Sequence, residues 1–282
     1  MRSMTESSGE EPAIDGAAAM QLLEPLTDIV AQAGAAVLSV ARSSMQVDNK
    51  ADGSLITEAD MAADRVIADG LAKVAPNVPT LSEERTHLAK RPYRNSFFLI
   101  DPLDGTAEFV AGRDEFTINL ALVTNGRPLL GIVGAPALGL IWRGVVGHGA
   151  ERLLVTKDAH ARAAQPIKTR QHPGPGGAWI VAVSRSHMDK RTQAFIAARP
   201  GAIRQVLGSA IKFCRVAEGG ADIYPRLSPT SEWDVAAGHA VVMAAGGTIT
   251  DSKGAELHFG EAREGFLVPE FIAWGDASAV GQ

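Results

Sequence analysis

The sequence has a single cysteine, Cys214, which leaves no partner for an internal disulfide and no thiolate set for a zinc site. No apolar run reaches the roughly 20 residues that a membrane-spanning helix needs. No basic block or stripe is present and the net charge is −5, which argues against a protein that coats nucleic acid. Aromatics are few, at 5%, yet 46% of the chain is hydrophobic, so the 282 residues can still bury a sizeable core. The polar, acidic start, "MRSMTESSGEEPAIDG", lacks the apolar segment of a secretory signal and reads as a loose tail over 1–16. These absences suit a cytoplasmic protein with no membrane partner.

Apolar residues at Leu22, Leu26, Ile29, Val30, Ala33 and Val37 predict a helix from about Ala17 to Arg42. "VDNKADGSLIT" reads as extended with a turn at Asp52–Gly53, and a second helix is predicted from Glu58 to Val74. Strands follow at "VPTLS" and "FFLID", then a hairpin turning at Asn125–Gly126, then a third strand of that antiparallel set at "LIWRGVVGHG". The Pro- and Gly-rich segment Lys168 to Ala178 is the linker candidate, dividing an N-terminal domain, 17–167, from a C-terminal domain, 168–282. Beyond it strand-like "WIVAVS", "AIRQVL", "ADIYP" and "GTIT" alternate with helices starting near Met188, Ser209 and Glu232, which suggests a partly parallel sheet covered by helices.

"FFLIDPLDGTAEFV" carries the first chemical signal. A buried strand ends in Asp101 and Asp104, with Pro102 fixing the backbone and the Leu103 carbonyl between the two acids. Two such carboxylates repel unless a cation lies between them, and hard oxygen ligands select Mg²⁺, Mn²⁺ or Ca²⁺. Gly105–Thr106 can then offer backbone N–H groups to an anion. The structural alternative is that Asp101 caps a turn and Asp104 a helix, and on these residues alone both readings stand. Further acids lie at other element ends: Glu83 and Glu84 in "LSEE", Glu58 and Asp60 in "ITEAD", and Asp234 in "EWDVAAGHAVVMAAGG". Singly each reads as a helix-terminal or solvated acid. Jointly they are what a multi-metal phosphatase requires.

"DPLDGT", with "SEE" upstream and "WDVAAGHAVVMAAGG" downstream, resembles the lithium-sensitive, magnesium-dependent superfamily that contains inositol monophosphatase. "KADGSLITEAD", "EFTINLAL", "SRSH", "GSAIKFCRVAEG" and "YPRLSPTSEWD" are most similar to its CysQ-type 3'(2'),5'-bisphosphate nucleotidases. The resemblance implies an α/β layered fold, an αβαβα sandwich with an antiparallel N-terminal sheet and a smaller mixed C-terminal sheet. It implies two or three Mg²⁺ ions, with Mn²⁺ as a substitute and Li⁺ as an inhibitor. Glu83, Asp101 and the Leu103 carbonyl match one metal site, and Asp101, Asp104 and Asp234 a second, with a third ion leaning on Glu83. Asp60 and Thr106 match the pair that orients the attacking water, and Gly105 and Thr106 the phosphate-binding turn.

The expected reaction is hydrolysis of 3'-phosphoadenosine 5'-phosphate to AMP, or of its 5'-phosphosulfate analogue. The partner is thus a small-molecule nucleotide, and some relatives self-associate, which leaves a homodimer open. Positions matching His187, Gly208 and Lys212 line the nucleotide in those enzymes. Ser184, Arg185 and Arg226 are further candidates for the second phosphate. Inositol phosphate, fructose bisphosphate, NADP or histidinol phosphate are the alternative substrates, and a non-catalytic nucleotide-binding regulator the alternative class. Two departures from the pattern stand at the site: Leu55 replaces a common proline, and Ala107 a common lysine. Cys214, His239 and Trp233 read as packing residues.

Overall fold

A computed structural model describes residues 13–42, 45–49, 55–88, 93, 95–174, 176–261 and 264–281. Most of the expected tail and the Asp52–Gly53 turn lie outside the described residues. Helix α1 (Gly16–Ser39) starts at Asp15, whose side chain accepts the Ala18 N–H, and buries one stripe through Leu23, Leu26, Ile29, Val30, Ala33 and Val37. The short strands β1 (Val47–Asn49) and β2 (Leu55–Thr57) pair antiparallel. They lead into α2 (Glu58–Val74), where the periodicity placed it. Gly70 of α2 lies so close to α1 that a Cβ there would stand 2.6 Å from Ile29.

The large sheet runs in chain order: β3 (Thr80–Ser82), β4 (Ser96–Asp104), β5 (Thr117–Thr124), β6 (Arg127–Ala135), β7 (Leu140–Val145), β8 (Gly149–Val155) and β9 (Ala161–Ile167). It is antiparallel except at its edge, where β3 pairs parallel with β4. Asn125 and Gly126 both take positive φ, 50° and 74°, which makes the tight turn between β5 and β6. The one-turn helix α3 (Thr106–Val110) leaves the end of β4.

The second sheet is mixed, in the order β11-β10-β12-β16-β14. Its strands are β10 (Ile180–Ser184), β11 (Ile203–Leu207), β12 (Ile223–Arg226), β14 (Thr248–Thr250) and β16 (Phe271–Trp274). The pair β13 (Thr230–Ser231) and β15 (Leu267–Val268) stands apart. Three helices accompany it: α4 (Lys190–Ala197), α5 (Ile211–Ala217) and α6 (Glu232–Ala244).

Alternate residues of β4 show how the layers stack. Phe98 and Ile100 face α1 and α2, whereas Phe97 and Leu99 join α5, α6 and the inner face of the second sheet. The outer face of that sheet, through Val181, Val183, Ile223 and Ile272, meets Ile196 of α4. The result is the αβαβα sandwich, and its large sheet is covered on both faces. This is why β4 and β5 read as unbroken apolar runs rather than alternating ones.

Helix α6 forms the middle of the stack, touching the large sheet on one side and the small sheet on the other. Its approach is set by glycines. A Cβ on Gly131 of β6 would lie 2.1 Å from the Ala237 carbonyl oxygen, and one on Gly144 of β7 would lie 2.6 Å from the Ala244 methyl. Because backbone, not a yielding side chain, blocks the first position, Gly131→Ala should destabilise the fold by about 3 kcal/mol. A thermal melt checks this, with Gly112→Ala, which meets nothing within 4 Å but has a positive φ, as a backbone-strain control. Cys214, His239 and Trp233 are buried in this region, and His239 packs edge-on to Phe259 with ring centres 5.6 Å apart.

Candidate active site

The acids converge on the end of β4 because of a single irregularity. Asp101 pairs with Asn119 and Asp104 with Thr117, so three steps along β4 are matched by two along β5. In a regular strand, residues three apart point to opposite faces. The extra residue of this bulge returns Asp104 to the side of Asp101. The irregularity falls at Pro102–Leu103, and the Asp101 Oδ1 accepts the Leu103 N–H at 3.0 Å, which closes the turn.

Asp60 and Asp234 are the third residues of α2 and α6, and each accepts the backbone N–H of the residue before its helix. Asp60 Oδ2 takes Thr57 N–H at 2.8 Å and the Thr57 hydroxyl at 2.6 Å. Asp234 Oδ2 takes Ser231 N–H at 3.3 Å and a short bond from the Thr230 hydroxyl. Capping and site chemistry therefore do not compete: one oxygen fixes the carboxylate and the other remains. For Asp60 that other oxygen, Oδ1, lies 3.0 Å from the Thr106 hydroxyl, which also stands 3.1 Å from the Leu103 carbonyl.

Carboxylate oxygens of Glu83, Asp101 and Asp234 all lie within 4.8 Å of one another. This trio cuts across the two-site partition that the resemblance implied, since it joins Glu83 directly to Asp234. Asp104 adjoins it and is supported from behind by the Thr117 hydroxyl and the Asn119 amide, each at 3.4 Å. Burial, and then repulsion from Glu83, Asp104 and Asp234, hold the Asp101 carboxyl well above the ordinary range. Asp104 is pushed up to about 6, first by burial and then by Asp234, against the pull of Lys212. Burial also raises Asp60, although its hydrogen bonds oppose the shift. Hard oxygen donors crowded at such cost are the donor set for a small divalent cation, so Glu83, Asp101, Asp104 and Asp234 fit Mg²⁺.

The pH dependence of the metal-free protein tests that crowding. The folded state holds the Asp104 proton more tightly than the unfolded chain does. Its contribution to stability is thus complete below about pH 4 and disappears as pH rises through about 6. In EDTA, Asp104→Asn should melt above the wild type at pH 8 and converge with it at pH 4. A gap that does not change with pH would contradict the crowding.

The acids open into a cleft of about 410 Å³ whose walls include Ser184, His187, Gly208, Lys212 and Arg226, together with Gly105 and Thr106. Lys212 is buried, which lowers its pKa to about 8, and its ammonium stands 5.2 Å from the Tyr224 ring centre. Burial, then the neighbouring Arg226 and Lys212, lower His187 as well. Arg185 is the exception among the residues expected to bind substrate. It does not line the cleft and instead forms a short ion pair with Glu115, whose Oε2 also accepts Gly208 N–H at 3.1 Å. Leu55 and Ala107 both line the cleft, so the two departures from the pattern shape its rim.

Several cleft residues had no clear signal in the sequence. Glu108 is buried in the wall and accepts the Ser186 hydroxyl at 3.2 Å. Ser209 takes a left-handed backbone, φ 47°, and its hydroxyl reaches the carbonyls of Asp104 at 2.8 Å and Glu115 at 3.0 Å. It occupies the space beside Gly105, where a Cβ would be 2.2 Å from the Ser209 Oγ. Asn119 was legible as a polar residue in an apolar strand, but its service to Asp104 depends on the bulge.

Residues 19–273 match the model of the inositol monophosphatase family. The chain belongs to the inositol monophosphatase family. Within this family it is 39% identical over 254 residues to the 3'(2'),5'-bisphosphate nucleotidase CysQ of Escherichia coli strain K12, a match covering 89% of this chain and 98% of that one. The CysQ of Buchnera aphidicola is 32% identical, with 90% and 93% covered. Among solved structures, CysQ from Bacteroides thetaiotaomicron superposes with a TM-score of 0.72 at 31% identity, covering 92% of this chain and 97% of that one. The inositol monophosphatase of Anabaena, at 22% identity and a TM-score of 0.70, shares the fold. As a phosphatase of the inositol monophosphatase superfamily, the chain has its acids and its cations in one cleft.

Proposed function

We propose that the chain is a 3'(2'),5'-bisphosphate nucleotidase that hydrolyses 3'-phosphoadenosine 5'-phosphate to AMP and phosphate, and acts likewise on the 5'-phosphosulfate analogue. The observation that carries this reading is that one cleft holds groups of both signs: the carboxylates Glu83, Asp101, Asp104 and Asp234, and the cations Lys212 and Arg226, with His187 on the same walls. A substrate with one phosphate to cleave and another to hold needs both. The 39% identity with a CysQ nucleotidase supports the same reading.

Mg²⁺ held by Glu83, Asp101, the Leu103 carbonyl, Asp104 and Asp234 would neutralise the phosphate dianion and make water acidic enough to attack near neutral pH. The chain's own residues do the rest. Thr106, bonded to Asp60, positions the attacking water and passes a proton toward the Asp60 carboxylate, whose raised pKa makes it a better acceptor. The water oxygen forms the new P–O bond while the ester P–O bond breaks, and the 3'-oxygen leaves as a hydroxyl by taking a proton from solvent, while Asp60 returns its proton to solvent. Gly105 and Thr106 present backbone N–H groups to the phosphate oxygens. Lys212 and Arg226 hold the second phosphate, with Ser184, His187 and Gly208 along the nucleotide. Li⁺ is expected to inhibit by taking a metal position.

A substrate panel tests the assignment. The kcat/KM for 3'-phosphoadenosine 5'-phosphate should exceed those for inositol 1-phosphate and fructose 1,6-bisphosphate. A charge-assisted contact contributes about 1.5–3 kcal/mol, so Lys212→Met should reduce the nucleotide value by roughly 10–100-fold and leave inositol 1-phosphate little changed. Faster cleavage of inositol 1-phosphate by the wild type would overturn the reading.

A further inference from the structure

Glu83 sits between two residues that a single buried acid holds. Asp64 lies one helical turn beyond Asp60 on α2 and is 5% exposed. Its Oδ1 accepts the Ser82 hydroxyl at 2.6 Å, and its Oδ2 stands 3.0 Å from the Arg85 Nε. Ser82 is the last residue of β3 and is buried, while Arg85 lies in the 3₁₀ turn, Glu83–Leu88, that follows. Arg85 departs from helical geometry within that turn, with φ −127° and ψ 27°. The chain on either side of Glu83 is thus tied to one carboxylate on α2.

We propose that Asp64 is a positioning residue for the divalent-cation site, acting through Glu83. This inference rests on the proposed role of Glu83 as a metal ligand. Three observations favour it over a purely structural ion pair. First, β3 is a three-residue edge strand with a single neighbour, β4, among the described residues, so the ladder alone leaves its end poorly fixed. Second, both bonds from Asp64 bracket the same residue, Glu83, rather than anchoring the strand at a distance. Third, Asp60 and Asp64 project from one face of α2, so the helix that supplies the water-orienting acid also fixes a member of the carboxylate trio. Partners of this kind orient a ligand whose geometry a cation then requires.

The test is a double-mutant cycle on Mg²⁺ affinity, measured by calorimetric titration of the metal-free protein. Asp64→Asn keeps an acceptor for Ser82 but removes the charge that holds Arg85. It should weaken Mg²⁺ binding by about 10–100-fold, the usual cost of losing such an orienting partner. In a Glu83→Gln background the same substitution should cost no more than about twofold, because the residue it positions is already lost. Equal losses in both backgrounds would overturn the proposal, as would unchanged affinity in folded Asp64→Asn. If Asp64→Asn does not fold by circular dichroism, Ser82→Ala carries the same expectation with only the hydroxyl's bond to the Asp64 carboxylate removed. Should Glu83→Gln itself leave Mg²⁺ affinity unaltered, the assignment of Glu83 as a ligand fails, which is a result distinct from failure of the clamp.

Discussion

Asp101→Asn is expected to release phosphate from 3'-phosphoadenosine 5'-phosphate at less than about one-thousandth of the wild-type rate, and EDTA should do the same to the unmodified protein. The magnitude follows from the role assigned to the carboxylates. Divalent cations contribute several kcal/mol to a phosphoryl-transfer transition state, and each 1.36 kcal/mol is tenfold in rate. Asp101 is the most burdened of the acids: buried, and opposed by Glu83, Asp104, Asp234 and Asp60. An amide keeps the shape and the Leu103 N–H contact at 3.0 Å but contributes no negative charge. Its expected signature has two parts. Catalysis collapses, and the Mg²⁺-dependent rise in melting temperature shrinks. Restoring the wild type with excess Mg²⁺ after EDTA, with no such recovery in Asp101→Asn, separates loss of the cation from loss of the fold. A variant that retained most of its activity would sink the metal assignment.

Thr106→Val should lower kcat by about 10²–10⁴-fold, the usual range for removing a positioned proton-transfer group. Valine is nearly isosteric with threonine, so the change isolates the hydroxyl that bridges toward Asp60 Oδ1 at 3.0 Å. The metal ligands are left in place, so calorimetric Mg²⁺ affinity should stay within about threefold of wild type, and KM should change far less than kcat. Asp60→Asn should give a comparable loss, and the double variant should be little worse than either alone, because the two act as one unit. Independent, additive losses would show that Asp60 serves only as the α2 cap, through its Oδ2 bonds to Thr57.

Much of the fold was legible because both periodicities were strong. The stripe on α1, the limits of α2 and the Asn125–Gly126 turn were read from spacing and turn chemistry, and lie where expected. The parallel pairing of β3 with β4 was not, because a three-residue strand carries no sign of its direction. Nor was the central position of α6. Its residues from Val235 to Val242 are buried almost all round, so no amphipathic stripe reveals which neighbours it has.

At the site, the acids were visible as residue types at element ends, while their grouping was set by long-range packing that spacing does not encode. Arg185 illustrates the limit. A basic residue beside His187 looks like a phosphate ligand in one dimension, yet Glu115, 70 positions away, takes its guanidinium. Asp64 illustrates the reverse, an acid in a helix interior that gains its meaning only from Ser82 and Arg85.

The bulge between Asp101 and Asp104 makes the number of residues there as consequential as their identity. Lengthening this stretch by one unit, with the bulge kept, would leave every chemical group in the protein yet send the second acid to the side occupied by α1 and α2, among apolar neighbours that offer it nothing. Drift in length is tolerable in outer hairpins such as that between β8 and β9, but here the spacing itself is part of the machinery.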